Sequence, residues 1–236
     1  MINNKIVSSI ILCAGKSTRF GENKIFYNIL EKPAIYYTIK AFCDSDLVDN
    51  IIIVSQQADS MKFNNLIKSF KKLTGKNITL TTGGESRQES VKNGLKMINN
   101  KTSFIAIHDG ARILIEKKTI DQSIRDAFEH KASCVGVPVK DTIKKVNNNK
   151  FICETPARET LWCAQTPQVF ERTIYNQALT KATKEGKIYT DDCQLLESNN
   201  VKVHMCLGNY SNIKITTIDD IYTCENVLIK RLKKII

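Results

Sequence analysis

Short runs of β-branched and apolar residues alternate along the chain with longer segments whose apolar positions recur at helical spacing. Ile6–Leu12 is almost wholly apolar and predicts a buried strand. The short apolar run at 50–54 predicts a strand covered on both faces, and Asn77–Thr82, 104–107 and 132–139 predict further strands. Between them, 33–42, 58–73, 86–98 and 119–130 carry helical spacing. The first of these has Pro33 at its first turn. The second puts Met61, Leu66, Ile67, Phe70 and Leu73 on its inner face, and the third Val91, Leu95 and Ile98. Strands alternating with helices imply right-handed crossovers, hence an α/β fold with a doubly wound, mostly parallel sheet.

The alternation breaks at Lys140. Two short alternating segments, 141–146 and 151–155, flank Asn147-Asn148-Asn149-Lys150 and predict a β-hairpin. It has too little apolar content to bury itself in the sheet, so it reads as a projecting arm that packs on a second subunit. Segment 161–170 returns to the core. Helices are expected at 173–185 and 191–199, the second capped by Thr190, and strands at 201–207 and 213–215. Ile218, Ile221, Tyr222, Leu228, Ile229, Leu232 and Ile235 form the stripe of a C-terminal amphipathic helix. With no repeat and no low-complexity linker, the simplest organisation is one domain over 1–236, with 140–159 as a dimerisation arm.

Composition narrows the classes. A hydrophobic content of 42% over 236 residues supports a sizeable core and argues against disorder. No apolar run is long enough to span a membrane, and the first residues do not read as a signal peptide. The eight cysteines include no C-x-x-C pair and mostly sit in apolar segments. Reduced, buried thiols of a cytoplasmic protein fit better than a disulfide frame or a zinc site. A formal net charge of +11 raises nucleic-acid binding as a possibility. There is no basic stripe with interleaved aromatics, however, and a basic enzyme for anionic small molecules fits as well.

Candidate chemistry begins where the first strand ends. Cys13-Ala14-Gly15 lets backbone approach a ligand, and Lys16, Arg19 and Lys24 then supply cations suited to phosphate. Gly15-Lys16-Ser17-Thr18 looks like the close of a P-loop, but the earlier glycine that motif needs falls at Ile10, inside the strand. The bland alternative is a surface turn with scattered lysines. Gly83-Gly84 offers N–H donors before a helix, or is simply a turn. Asp109 can hold Mg²⁺ or a ribose hydroxyl, or cap a helix. His108 reads as a structural hydrogen-bonder. In an open α/β sheet these strand ends converge on one crevice.

Taken in order, the chain carries Leu12-Cys13-Ala14-Gly15-x-x-x-Arg19 with Lys24, Gly83-Gly84 through Ser90, and His108-Asp109-x-Ala111-Arg112. There follow Pro138-Val139-Lys140-Asp141-Thr142, Arg158-x-x-Leu161-Trp162-x-Ala164-Gln165-Thr166-Pro167-Gln168, Thr190-Asp191-Asp192, and Asn212-Ile213-Lys214-Ile215-Thr216. Over nearly its whole length the sequence resembles the 2-C-methyl-D-erythritol 4-phosphate cytidylyltransferase family of isoprenoid precursor synthesis. The resemblance implies a Rossmann-like nucleotidyltransferase that moves CMP from CTP to the polyol phosphate and releases pyrophosphate with Mg²⁺. It implies Arg19 and Lys24 as transition-state stabilisers on the triphosphate, and Arg158 and Lys214 as positioners of methylerythritol phosphate. Ala14, Gly15, Gly84, Glu85 and Ser90 would line the cytosine pocket, Asp109 would face nucleotide and metal, and Arg112, Thr142 and Thr166 would contact the second substrate. Thr142 and Arg158 flank the hairpin, so the arm would complete a partner's site in a homodimer.

Some positions depart from the family pattern: Asn23 stands where proline is usual, Ser17 replaces glycine, Phe20 methionine and Ile113 proline, and Ser211 an acidic residue. They bear on the path of the nucleotide loop and the sugar-hydroxyl contacts, and none removes a cation the chemistry needs. The sister enzyme that loads ribitol 5-phosphate with CTP shares fold and most motifs. Asp141-Thr142 and Leu161-Trp162 look more like the methylerythritol enzyme. A basic, non-catalytic RNA- or acidic-partner-binding protein is the reading of a different class.

Overall fold

The computed structural model describes residues 5–15 and 23–233. The first strand, β1 (Ile6–Leu12), leads to a tight pair, β2 (Asn28–Ile29) and β3 (Lys32–Pro33), and then to α1 (Ala34–Asp44). There follow β4 (Asn50–Ser55), α2 (Ser60–Thr74), β5 (Asn77–Thr82), α3 (Arg87–Lys96), β6 (Thr102–Asp109), α4 (Lys117–His130) and β7 (Ala132–Pro138). A hairpin of β8 (Lys145–Val146) and β9 (Ile152–Glu154) precedes β10 (Trp162–Glu171), α5 (Arg172–Lys184), α6 (Asp192–Glu197), β11 (His204–Leu207) and α7 (Ile218–Lys233).

The central sheet has seven strands in the order β11-β7-β10-β6-β1-β4-β5. Only β10 runs against its neighbours, β6 and β7. Side-chain alternation splits the core into two layers. On one face Val7 and Ile11, Ile51 and Ile53, and Phe104 and Ala106 pack under α1, α2, α4 and α7. On the other face Ile10, Ile52 and Val54, and Ile105 and Ile107 pack under α3, α5 and α6. Burial on both faces is why these strands read as continuous apolar runs, and each fully buried isoleucine contributes roughly 1.5–3 kcal/mol.

Several expectations change. In α2, Phe63, Ile67 and Phe70 face inward, while Met61 is 76% and Leu73 74% exposed. A step of 100° per residue carries Met61 away from the Phe63 stripe. Pro33 precedes α1 rather than opening its first turn, because it ends the β2–β3 hairpin. Leu30 and Glu31 turn that hairpin with positive φ (47° and 63°), unusual for residues with side chains, which hid the turn from the sequence. Asp191, not Thr190, caps α6: its side chain accepts from Gln194 N–H, and Thr190 donates to the Gln194 side chain instead. The strand expected at 201–207 begins only at His204. No ladder forms at 213–215, where one bond from Ile215 N–H to the Ala111 carbonyl holds an extended segment. In α7, Ile221, Cys224 and Leu228 are buried while Ile218, Tyr222 and Leu232 are exposed; Ile235 lies outside the described residues. All eight cysteines are free, but Cys153 and Cys163 are exposed rather than buried.

The hairpin at 141–155 forms with shorter strands than expected, and every residue from 140 to 155 is exposed. They include Ile143, Val146, Phe151 and Ile152. Its turn is closed by the Asn147 carboxamide, which accepts from the Asn149 and Phe151 N–H groups.

Candidate active site

The chain leaves β1 for β4 on one side, while β6 lies against the other side of β1. That reversal opens a crevice at the carboxyl ends of the strands. Backbone bonds stitch its floor: Cys13 N–H to the Val54 carbonyl at 2.7 Å, Gly110 N–H to Leu12 at 2.9 Å, and Gly83 N–H to Ser55 at 2.8 Å. The resulting cleft has a volume of about 390 Å³. Ala14, Gly15, Lys24, Gly84, Glu85, Ser90, Asp109 and Lys214 all line it, so most of the sequence-predicted nucleotide and catalytic residues meet there.

Each charged group has a local reason for its place. Lys24 opens a one-turn 3₁₀ segment anchored by buried Ile25 and by the Asn23 carboxamide, which donates to Asp59 at 2.6 Å. Asp109 ends β6, and its carboxylate lies 3.0 Å from Lys214 Nζ and 3.5 Å from Arg112 Nε. Burial pushes the Asp109 carboxyl up, but Lys214, Arg87 and Arg112 outweigh it and hold the group at about 2. Lys214 is set by its neighbour Ile215, whose side chain is buried and whose N–H is fixed to Ala111.

Behind this layer sits a polar lattice. Asp109 N–H donates to Thr166 Oγ1, which is 2.9 Å from His108 Nδ1, and His108 Nε2 is 3.3 Å from the Arg112 carbonyl. An accepting carbonyl requires Nε2 to carry the proton, so Nδ1 accepts from the Thr166 hydroxyl. Burial, chiefly, holds the His108 imidazole near 4, so it is neutral at pH 7. The structural role expected for His108 is the one it has. Arg112 and Thr166 therefore stand behind the cleft: Arg112 donates to the Asn212 carbonyl, and Asn212 in turn donates to Gln165 and Thr166.

Of the two readings of Gly83-Gly84, the plain turn holds, since both N–H groups are bonded within the protein. Ser86 and Glu89 form a reciprocal capping box at the start of α3. Gly84 N–H donates to Ser90 Oγ, and Glu85 N–H to the Glu89 carboxylate. A Cβ at Gly83 would lie 2.4 Å from Ala14 Cβ, so the glycine lets this wall close onto the end of β1.

Thr142 and Arg158 are exposed and do not line this cleft; Arg158 donates to the Lys140 carbonyl at 3.1 Å. Arg19 lies outside the described residues. Arg87 was missed. It lines the cleft and pairs with Asp192 at 2.6 Å. The signal was present: a cation in a helix's first turn opposes the macrodipole, so it needs a partner or ligand beyond the helix.

The family model described as 2-C-methyl-D-erythritol 4-phosphate cytidylyltransferase matches residues 7–230. Among curated proteins of that name, one from Caldanaerobacter subterraneus subsp. tengcongensis is 42% identical, covering 95% of this chain and 99% of the relative. One from Clostridioides difficile is 40% identical, with 94% and 93% covered. The crystal structure of 4-diphosphocytidyl-2C-methyl-D-erythritol synthase from Anaerococcus prevotii is similar at a TM-score of 0.84 and 28% identity, covering 96% of this chain and 99% of that one. Sequence and fold similarity extend over nearly the whole chain, and the chain belongs to the 2-C-methyl-D-erythritol 4-phosphate cytidylyltransferase family.

Proposed function

We propose that the cleft transfers CMP from CTP to 2-C-methyl-D-erythritol 4-phosphate and releases pyrophosphate. The observation that carries this reading is the meeting of Lys24, Lys214 and Asp109 at the end of β1 in one small cleft. Two anionic substrates must approach while charge builds on a five-coordinate phosphorus. Positioned cations supply most of what that reaction needs, and no protein nucleophile is required. Lys24, together with Arg19, would stabilise the triphosphate. Lys214 would hold the attacking polyol phosphate, its ammonium oriented by Asp109.

Mg²⁺ is usually held by one or two carboxylates together with substrate phosphates. Asp109, ionised far below neutral pH and at the cleft wall, fits that mode. The ion would offset phosphate charge, and Asp109 would supply the protein's oxygen ligand.

The exposed hairpin supports a homodimer in which Thr142 and Arg158 serve the partner's cleft. Replacing Phe151, 70% exposed, with Asp should shift the protein to monomers in sedimentation and abolish turnover while leaving the fold's circular dichroism intact. A fully active monomer would overturn the arm's role. The free thiols suit a reducing compartment, the cytoplasm. Among the described residues no helix is long and apolar enough to cross a membrane.

The decisive assay incubates the protein with CTP, Mg²⁺ and either methylerythritol phosphate or ribitol 5-phosphate, and follows pyrophosphate. Release with methylerythritol phosphate is expected. Release with ribitol phosphate alone would reassign the substrate, and salt-sensitive RNA binding without release would favour a binding protein.

A further inference from the structure

Lys214 has no strand to hold it. The segment from Asn209 to Ile215 forms no ladder, so its place rests on separate bonds to its neighbours. Ile215 N–H reaches the Ala111 carbonyl, Arg112 reaches the Asn212 carbonyl, and the Asn212 carboxamide reaches Gln165 and Thr166. A further bond comes from outside this lattice: Arg231, near the end of α7, donates to Ser211 Oγ at 3.2 Å.

Arg231 is an unexpected residue at its position. Ile221, Cys224 and Leu228 are the buried residues of α7, and a step of three more along that stripe falls on Arg231. A cation in the last turn suits the helix dipole, but that alone would leave it in solvent. Instead the guanidinium is half-buried and fully engaged. Nη1 donates to the Leu114 carbonyl at 3.0 Å, and Nη2 to the Glu116 carboxylate at 2.7 Å as well as to Ser211. The other Glu116 oxygen lies 3.0 Å from Lys118 Nζ, so the carboxylate is held on both sides. Leu114 and Glu116 belong to the loop between β6 and α4, which also carries Arg112. One planar group thus ties that loop to the segment that carries Lys214. The 3.0 Å pair of Asp109, at the end of β6, with Lys214 spans the same gap. A fork of fixed donors can hold several acceptors in register, which a lysine ammonium on a flexible stem does not.

We propose that Arg231 is a positioning residue for Lys214: its guanidinium clamps segment 209–215 to the β6–α4 loop and so sets Lys214 against Asp109. This rests on the reading of Lys214 as the group that holds the attacking polyol phosphate. Arg231 does not line the cleft and acts only through Lys214. Its loss lets the segment shift while the sheet and the nucleotide side of the cleft stay in place.

The test is a double-mutant cycle of Arg231→Gln with Lys214→Met, read in kcat/KM with methylerythritol phosphate and in the urea midpoint. Arg231→Gln alone should lower kcat/KM about ten- to hundredfold, the scale of a misplaced reacting group, with calorimetric CTP binding retained. In the Lys214→Met background the same change should cost almost nothing further, because the group it positions is gone. Arg231→Lys keeps a charge beside Glu116 but loses the fork, and should recover only part of the rate. Ser211→Ala cuts one arm of the clamp and keeps the other two, so it carries the cycle if Arg231→Gln does not fold; its smaller loss should also vanish without Lys214. If the clamp variants cost the same factor with and without Lys214, or cost nothing in either, Arg231 merely braces α7 and the proposal falls. The urea midpoint runs the cycle without substrate: Lys214→Met should lower it less when Arg231→Gln is already present. A wild type that releases no pyrophosphate yet keeps this coupling would sink the proposed reaction and leave the clamp standing. Additive midpoints in such an inactive protein would overturn the clamp as well.

Discussion

Replacing Lys214 with Met should lower kcat/KM by about two to three orders of magnitude, the usual cost of deleting one preorganised charge contact to a transition state. It should also destabilise the fold, which a purely substrate-facing lysine would not do. The Asp109 carboxyl sits near 2 against an ordinary 3.8, chiefly because Lys214 offsets its burial. A folded value below the unfolded one means stability that is complete above 3.8 and is lost as the pH falls through about 2. The whole shift corresponds to about 2 kcal/mol. Lys214 is 43% exposed, so solvent screening reduces its share to about 1 kcal/mol. The urea midpoint of Lys214→Met should therefore fall below the wild type at pH 7, and the gap should close toward pH 2. Lys214→Arg should restore the midpoint and only part of the rate. Equal midpoints at both pH values would show that Asp109 is held by other groups.

Much of this arrangement was legible in the residues. The strands of the sheet announced themselves because both faces are buried, and the cleft because small and charged residues stand at their ends. What stayed hidden depends on contacts far apart in sequence. Gly83-Gly84 could be read as open donors or as a turn, and only the fold shows Ser55 and Ser90 taking up their N–H groups. Segment 213–215 had strand-like composition, but its backbone bond runs from Ile215 N–H to the Ala111 carbonyl, past the end of β6 at Asp109, so no ladder forms. Thr190 and Asp191 are both good caps, and the choice between them turned on Gln168, which also donates to the Asp191 carboxylate. Arg87 was obscured because its partner, Asp192, lies on a different helix. Family resemblance drew together Lys24, Asp109 and Lys214, yet it says nothing of how Thr166 is oriented. That follows from His108 sitting beneath it.

Arg158→Ala makes the opposite case to Lys214. Arg158 is exposed, and among the described residues its side chain makes one hydrogen bond, to the Lys140 carbonyl, so the fold should lose less than about 0.5 kcal/mol. Turnover should nonetheless drop about a hundredfold or more, because a guanidinium on a phosphate is a two-point clamp that water does not replace. CTP binding should survive; its loss would mean that Arg158 serves the nucleotide instead. The partner-site reading adds a sharper expectation. In a heterodimer of Lys214→Met with Arg158→Ala, one cleft combines both defects, while the other joins an intact Lys214 to an intact Arg158 from the neighbouring chain. Mixing the two inactive variants under exchanging conditions should restore about a quarter of wild-type turnover, because half of the dimers are mixed and half of their clefts are whole. If Arg158 served its own chain's cleft, every cleft in the mixture would keep one of the two lesions and activity would stay at the level of the separate variants.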